Sequence, residues 1–322
     1  VNIVYVGNFR HPWCTEVHIA RELEGLGHHV YRAQEPAHQP GDFSGYEALR
    51  FEVERIAFEE PGADLVLFTR TWGLPPEATA LWRLLEARGI RTASYHLDLY
   101  VGLKREAGIE SDPFWTTEFV FTPDGDTRSA WFFADRGINH YWSAPAVVSD
   151  ACYPGNYREE YDYDVVFVGS KNYHREWPWR TELLEGLHQR YGQRFRRFGG
   201  DLPEGPIREE ALNDLYASAQ VVVGDSLVLP GHTHYWSDRY PETLGRGGFL
   251  VAPYIEPMPY VGGKHFVHYE PRNIESVFAT VDRMLDQPIE RAEIAWNGQD
   301  FVRAGHTYRH RLAAALDVMG LG

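Results

Sequence analysis

The pattern that most constrains this chain occurs twice: a short apolar run, a glycine, a polar loop, and then a segment of helical period. Residues 2–7 and residues 164–169 each read as one polar residue, four apolar residues and a glycine. Apolar runs of this length bounded by glycine predict buried strands. Strand, loop and helix in repeated succession predict a parallel sheet, because parallel neighbours need a crossover between them. After Gly7 comes a loop over 8–13. Val17, Ile19, Ala20, Leu23 and Leu26 then fall at helical spacing, with Thr15 expected as N-cap and Gly27 as the stop. A strand resumes over 30–32, completing the first β-loop-α-β unit of a doubly wound sheet.

The alternation continues through both halves. Helices are expected over 46–58, 75–87 and 129–135, and strands over 63–68, 91–96 and 119–122. The stretch 143–163, with Pro145, Pro154 and Gly155 and a polar end, reads as a linker. The pattern then restarts, with helices over 179–191, 209–217, 240–245, 273–285, 289–304 and 308–319. Strands are expected between them over 194–198, 220–224, 248–252 and 265–269. The expected fold class is therefore α/β, two Rossmann-like domains, dividing at 155/156.

Length and composition fit this. A chain of 322 residues, 43% hydrophobic, is long enough for two ordinary cores. Its apolar runs are strand-length, far short of the ~20 residues a membrane helix needs. No basic segment followed by an apolar core opens the sequence, and its two cysteines make no disulfide framework. A cytoplasmic location is the expectation. The net charge of -15 disfavours broad nucleic-acid binding, which depends on neutralising phosphates. Residues 171–197 run against that average, with seven Lys or Arg and three Glu. That is either a local field for a small anion or a solvated helix face.

Candidate chemistry gathers at strand ends. Gly169, Ser170, Lys171, Asn172 and Arg175 follow a strand and precede a helix. There, free backbone N–H groups and two cations suit a diphosphate, although a glycine after a strand is also an ordinary turn. In 237–248, Pro241 suits a first helical turn and Glu242 lies within it. Glu242 is placed either to accept from vicinal ribose hydroxyls or as a plain helix-start carboxylate. His96 and Asp98 follow a strand, at the carboxyl end where doubly wound sheets bind ligands. Asn8, His11 and Glu16 come from the first such loop. Asp124-Gly-Asp126 reads as a turn rather than a metal motif. His11, His18, His28 and His29 lack zinc spacing, and His232 with His234 suit a sugar or phosphate contact better than a metal.

Taken together, residues 237–252, 267–269 and Gly305-His-Thr-Tyr308 resemble the C-terminal domain of spore-maturation-type (CgeB-like) glycosyltransferases, a glycosyltransferase family 1-like group of GT-B type. The opening at 165–170 and the turn at 198–200 also match, so the resemblance spans roughly 164–316. It implies two Rossmann-like domains facing a central cleft: an acceptor-side domain over 1–155, with helix 306–322 packing back on it, and a nucleotide-sugar domain over 156–305. It implies that Glu242 binds the donor ribose and that Ser237 and Arg239 line the donor site. The 169–175 loop and the Thr243 backbone would hold the diphosphate, with Gly199 and Gly200 near the base. Many retaining relatives carry a second Glu eight positions before the ribose Glu; here that position is His234. On the acceptor side, His96 or Asp98 would act as base in an inverting reaction, or orient the acceptor in a retaining one. The implied activity is sugar transfer from a nucleoside-diphosphate sugar to a hydroxyl, with no metal or cofactor. The acceptor stays open among glycan, metabolite, protein and hydroxylated DNA base, the last disfavoured by charge. A non-catalytic sugar-nucleotide-binding or coat-assembly protein and a sugar-nucleotide epimerase remain alternatives, since one fold hosts many functions.

Overall fold

The computed structural model of the chain describes residues 1–35, 41–59, 61–69, 74–172, 174, 176–229 and 231–322. It divides into two compact units: Val1–Ala144 with Tyr308–Gly322, and Pro145–Thr307. The division falls before 155 because the stretch after Pro145 is tied into the second unit. Val147 bridges Thr307, and Asn213 Nδ2 donates to the carbonyls of Ala151 and Tyr153 at 3.0 and 2.7 Å.

The first unit runs β1 (Asn2–Gly7), α1 (Thr15–Gly25), β2 (His29–Gln34), α2 (Tyr46–Phe58), β3 (Leu65–Phe68), α3 (Ala78–Ala87), β4 (Arg91–Tyr95), β5 (Phe119–Thr122), α4 (Thr127–Asp135) and β6 (His140–Trp142). Its six strands are all parallel, in the order β2-β1-β3-β4-β5-β6. Val4, Val66 and Val120 from the strands pack with Leu81, Trp82 and Phe133 from the helices to form its core. β6 is absent from the sequence-based expectation. Its three residues are half-buried or exposed and carry no apolar run, so only pairing with β5 reveals it. Thr15 is the first helical residue of α1 rather than its cap; Cys14 holds the cap position, with no side-chain hydrogen bond.

The second unit runs β7 (Val165–Val168), α5 (Trp179–Tyr191), β8 (Phe195–Phe198), α6 (Glu209–Ser218), β9 (Val221–Val223), α7 (Arg239–Gly245), β10 (Leu250–Pro253), β11 (Val267–Tyr269), α8 (Ile274–Leu285) and α9 (Pro288–Gly305). Its strands are again parallel, in the order β11-β10-β9-β7-β8. The first five strands of each unit thus share one winding order.

The last helix, α10 (Tyr308–Val318), belongs to the first unit and packs on α1. Arg309 Nε reaches Glu22 Oε2 at 3.1 Å, and Glu22 is only 2% exposed. Gly25 leaves the room: a Cβ there would lie 2.9 Å from Arg309 Nη2. Among the described residues no helix is long and apolar enough to cross a membrane.

Candidate functional site

A doubly wound parallel sheet binds ligands outside the carboxyl ends of its strands, where the winding reverses. In the second unit the reversal lies between β7 and β9, so the site is built from the segments that leave Val168 and Val223.

Gly169 ends β7 with φ +146°, a backbone conformation that favours glycine, and a Cβ there would lie 2.2 Å from Arg239 Nη2. That space is filled by the Arg239 guanidinium. Its Nε donates to the Val168 carbonyl at 3.1 Å, its Nη1 donates to Ser237 Oγ at 2.9 Å, and the group lies over the Phe167 ring at 5.4 Å. Ser237 is 1% exposed and is fixed in turn, its backbone N–H donating to Ser226 Oγ at 3.0 Å. A cation is thus held at the β7 carboxyl end by backbone, hydroxyl and ring, with Asp238 Oδ1 3.6 Å from its Nη1. Its side chain keeps 15% of its surface.

Behind it lies a buried charge network that the sequence reading missed. Asp225, just past β9, is fully buried. It accepts from Arg180 Nε at 2.9 Å and from Trp177 Nε1 at 3.1 Å. Burial pushes its carboxyl up, against the opposing pull of Arg180. Tyr269 Oη donates to the neighbouring Gly224 carbonyl at 3.0 Å. The β9 terminus is therefore pinned to the segment entering α5 and to β11. The acidic residue directly after a core strand, at the carboxyl end, was the available signal.

Glu242 sits on α7, half-buried. Its Oε2 accepts from Arg246 Nε at 2.7 Å, and Arg246 Nη1 also donates to Asn213 Oδ1. Oε1 has no hydrogen-bond partner among the described residues. Thr243 is buried, and its carbonyl accepts from the Gly248 N–H at 2.9 Å. Gly199 packs under the loop, where Gly169 N–H donates to the Phe198 carbonyl at 2.7 Å; Gly200 is exposed. Ser170 is half-buried and Asn172 exposed. His234 adopts φ +61°, an uncommon backbone for a non-glycine residue, and its Nδ1 lies 2.8 Å from Thr233 Oγ1. Lys171 turns elsewhere: its Nζ pairs with Glu185 of α5 at 2.8 Å. Arg175 lies outside the described residues.

In the first unit, His96 follows β4 at 4% exposure. Its ring stacks on Trp115 at 4.1 Å and meets Phe114 at 4.0 Å and Tyr100 at 4.6 Å, which places it among core aromatics. Asp98 is more open and pairs with Arg105 at 3.5 Å. Asn8 Oδ1 accepts from the Arg10 N–H, His11 stacks on Trp13 at 4.7 Å, and Glu16 is buried against Gly7. Asp126 caps α4, accepting from the Ser129 N–H at 2.6 Å. Asp124 accepts from the backbone N–H groups of Tyr100 and Val101 and from Thr122 Oγ1. Burial, outweighing these bonds, pushes its carboxyl up to about 6. Both aspartates thus serve local structure. Among the described residues, no three His, Cys, Asp or Glu side chains are grouped so as to hold a metal ion.

Residues 163–317 match a family model described as glycosyl transferase-like. No curated protein matches the chain. Solved structures match along its whole length. Sucrose-phosphate synthase from Thermosynechococcus elongatus superposes with TM-score 0.62 at 12% identity, covering 99% of this chain and 98% of that one. A glycosyltransferase from Rickettsia africae gives 0.62 at 10%, covering 98% and 97%. Anabaena HepE, solved with UDP and glucose, gives 0.62 at 12%, covering 99% of both. At such identities the likeness establishes the fold, which is GT-B.

Proposed function

We propose, for a chain whose second half is a glycosyl transferase-like domain within a GT-B fold, that it moves a sugar from a nucleoside-diphosphate sugar to an acceptor hydroxyl without a metal ion. The observation that carries this reading is the Arg239 guanidinium at the carboxyl end of β7, in space that only Gly169 leaves open. A fixed guanidinium offers paired donors to phosphate oxygens and keeps its charge at any working pH. It would bind the diphosphate and stabilise the charge that develops as the sugar leaves. Lys171, once released from Glu185, and Arg175 would supplement it.

Glu242 Oε1 would accept from the donor ribose, with Oε2 held by Arg246. Ser170, Asn172 and the Thr243 backbone would complete the phosphate cradle, and Gly199 and Gly200 would border the base. UDP is the first donor nucleotide to test, because HepE binds it on the same fold. On the acceptor side, Asp98 is the more accessible candidate, while His96 is buried among aromatic rings. Metal independence is supported by the structural commitments of Asp124 and Asp126.

The test is a thermal-shift panel of UDP, GDP, dTDP and their sugar conjugates in EDTA, followed by donor turnover with each hit. Binding must raise the apparent stability of the folded state. A shift with one nucleotide and release of its sugar in EDTA are expected. Binding without turnover would favour a non-catalytic carrier. A changed sugar with no acceptor present would favour an epimerase.

A further inference from the structure

The sheet of the second unit carries, on its outer edge, an open cavity of about 410 Å3, within the usual size of small-ligand clefts. β8 is the last strand on that side, and the C-terminal half of α5 forms the facing wall. The floor is apolar: Leu184 and Phe195, both buried, with Leu202 beside them. The walls carry three cations, Lys171, Arg196 and Arg197, against two carboxylates, Glu185 and Glu204. With Asp201, which pairs with Arg197, cations and carboxylates balance three to three here, in a chain of net charge -15.

Each cation is held by a solvent-accessible carboxylate. Lys171 pairs with Glu185 at 2.8 Å, Arg196 with Glu204 at 3.1 Å and Arg197 with Asp201 at 2.6 Å. Those carboxylates are 38–63% exposed. Exposed pairs of this kind contribute little, about 0–1 kcal/mol, so their partners are exchangeable. A ligand carboxylate would replace like with like. A phosphate monoester brings nearly two charges and three acceptor oxygens, so it gains where a carboxylate does not.

We propose that this cavity is a second anion site, taking a small phosphate monoester with an apolar or aromatic body: the phosphate on Arg196 and Arg197, joined by Lys171 when the donor diphosphate does not hold it, and the body on Leu184, Phe195 and Leu202. The site touches the donor loops. Arg197 Nη1 also donates to the Gly169 carbonyl at 3.2 Å, and the Lys171 N–H donates to Asp201 Oδ2 at 3.3 Å. A ligand that takes Arg197 and Lys171 therefore alters the tie between the 169–171 loop and the 199–201 turn. Its influence on nucleotide binding rests on the donor reading above; its existence does not.

Phenyl phosphate, phenol and inorganic phosphate are titrated calorimetrically into the full chain and into three variants, each checked for folding by circular dichroism. Saturable binding of phenyl phosphate is expected, with phenol and inorganic phosphate each weaker. Arg196→Glu should weaken phenyl phosphate by about ten-fold or more, and Leu202→Trp, which fills the floor, should do the same. Arg239→Ala should lose UDP and keep phenyl phosphate. Unchanged affinity in folded Arg196→Glu, or loss of phenyl phosphate in folded Arg239→Ala, would overturn the second site. Phenyl phosphate binding in a protein that never binds UDP would remove the donor reading and leave this one standing.

Discussion

At the scale of single residues, charge matters less than how it is held. Arg239 and Lys171 are both expected at the donor site, yet only Arg239 is fixed at the β7 end; Lys171 is diverted to Glu185 on α5. Arg239→Lys keeps the charge but cannot bond Val168 and Ser237 at once while lying over Phe167. UDP affinity is expected to fall about ten-fold by calorimetry, with the melting temperature nearly unchanged. Equal affinity would show that a point charge suffices. Asp124 supplies a second case, in which the sign has to be worked out. Its folded carboxyl titrates at about 6, above its ordinary value, so between about 4 and 6 the folded state binds more protons than the unfolded one. This residue's contribution is therefore greatest in acid and is lost as pH rises through 6. Asp124→Asn removes that dependence while keeping one acceptor oxygen for the Tyr100 and Val101 N–H groups. Denaturant titrations at pH 4 and 7 should show the variant gaining on the wild type with rising pH, by at most about 3 kcal/mol. Parallel stability curves would mean that Asp124 titrates as an ordinary exposed carboxyl.

At the scale of elements, legibility tracked periodicity. The limits of α2, α5 and β5 agree with the sequence reading, because each buries one face or run in a core. β6 did not, because its side chains are half in solvent and its identity rests on pairing with β5. The glycines after β7 and β8 could be read because a glycine closing an apolar run is a local signal. The Asp225–Arg180 pair joins residues 45 positions apart, a separation that no local pattern encodes. α10 shows how an element far along the chain is recruited by one buried charge. Glu22 is nearly inaccessible and Arg309 is its cationic partner at 3.1 Å, itself partly open to solvent. Removing the cation takes a charged partner from a buried carboxylate, a costly way to break a pair. Because Arg309 is partly solvated, Arg309→Ala should cost about 1–3 kcal/mol. It should also speed proteolytic cleavage near residue 307. Arg309→Ala with Glu22→Gln should recover most of the loss. If the double variant is no better than the single one, packing rather than charge holds α10 to α1.

At the scale of the whole molecule, two units share a winding order and differ in what they place at the strand ends. The second places a clamped guanidinium, a half-buried carboxylate and two glycine turns there. The first places a carboxylate–guanidinium pair and an aromatic cluster. The net charge of -15 sets a background that repels nucleotides, so a nucleotide should bind only where fixed cations reverse it locally. That asymmetry predicts which half responds to donor. In hydrogen exchange with and without UDP, amides around the β7 end, the 199–201 turn and α7 should gain protection. Those of β1 through β6 should keep their rates. Ligand binding slows only the openings that expose its own site or that unfold the unit holding it. Protection confined to the first unit would move the donor to the other sheet and leave Arg239 as a structural cation. Protection in both would mean that nucleotide binding changes the first unit's strand ends as well, and the acceptor assignments at Asp98 and His96 would have to be tested with donor already bound.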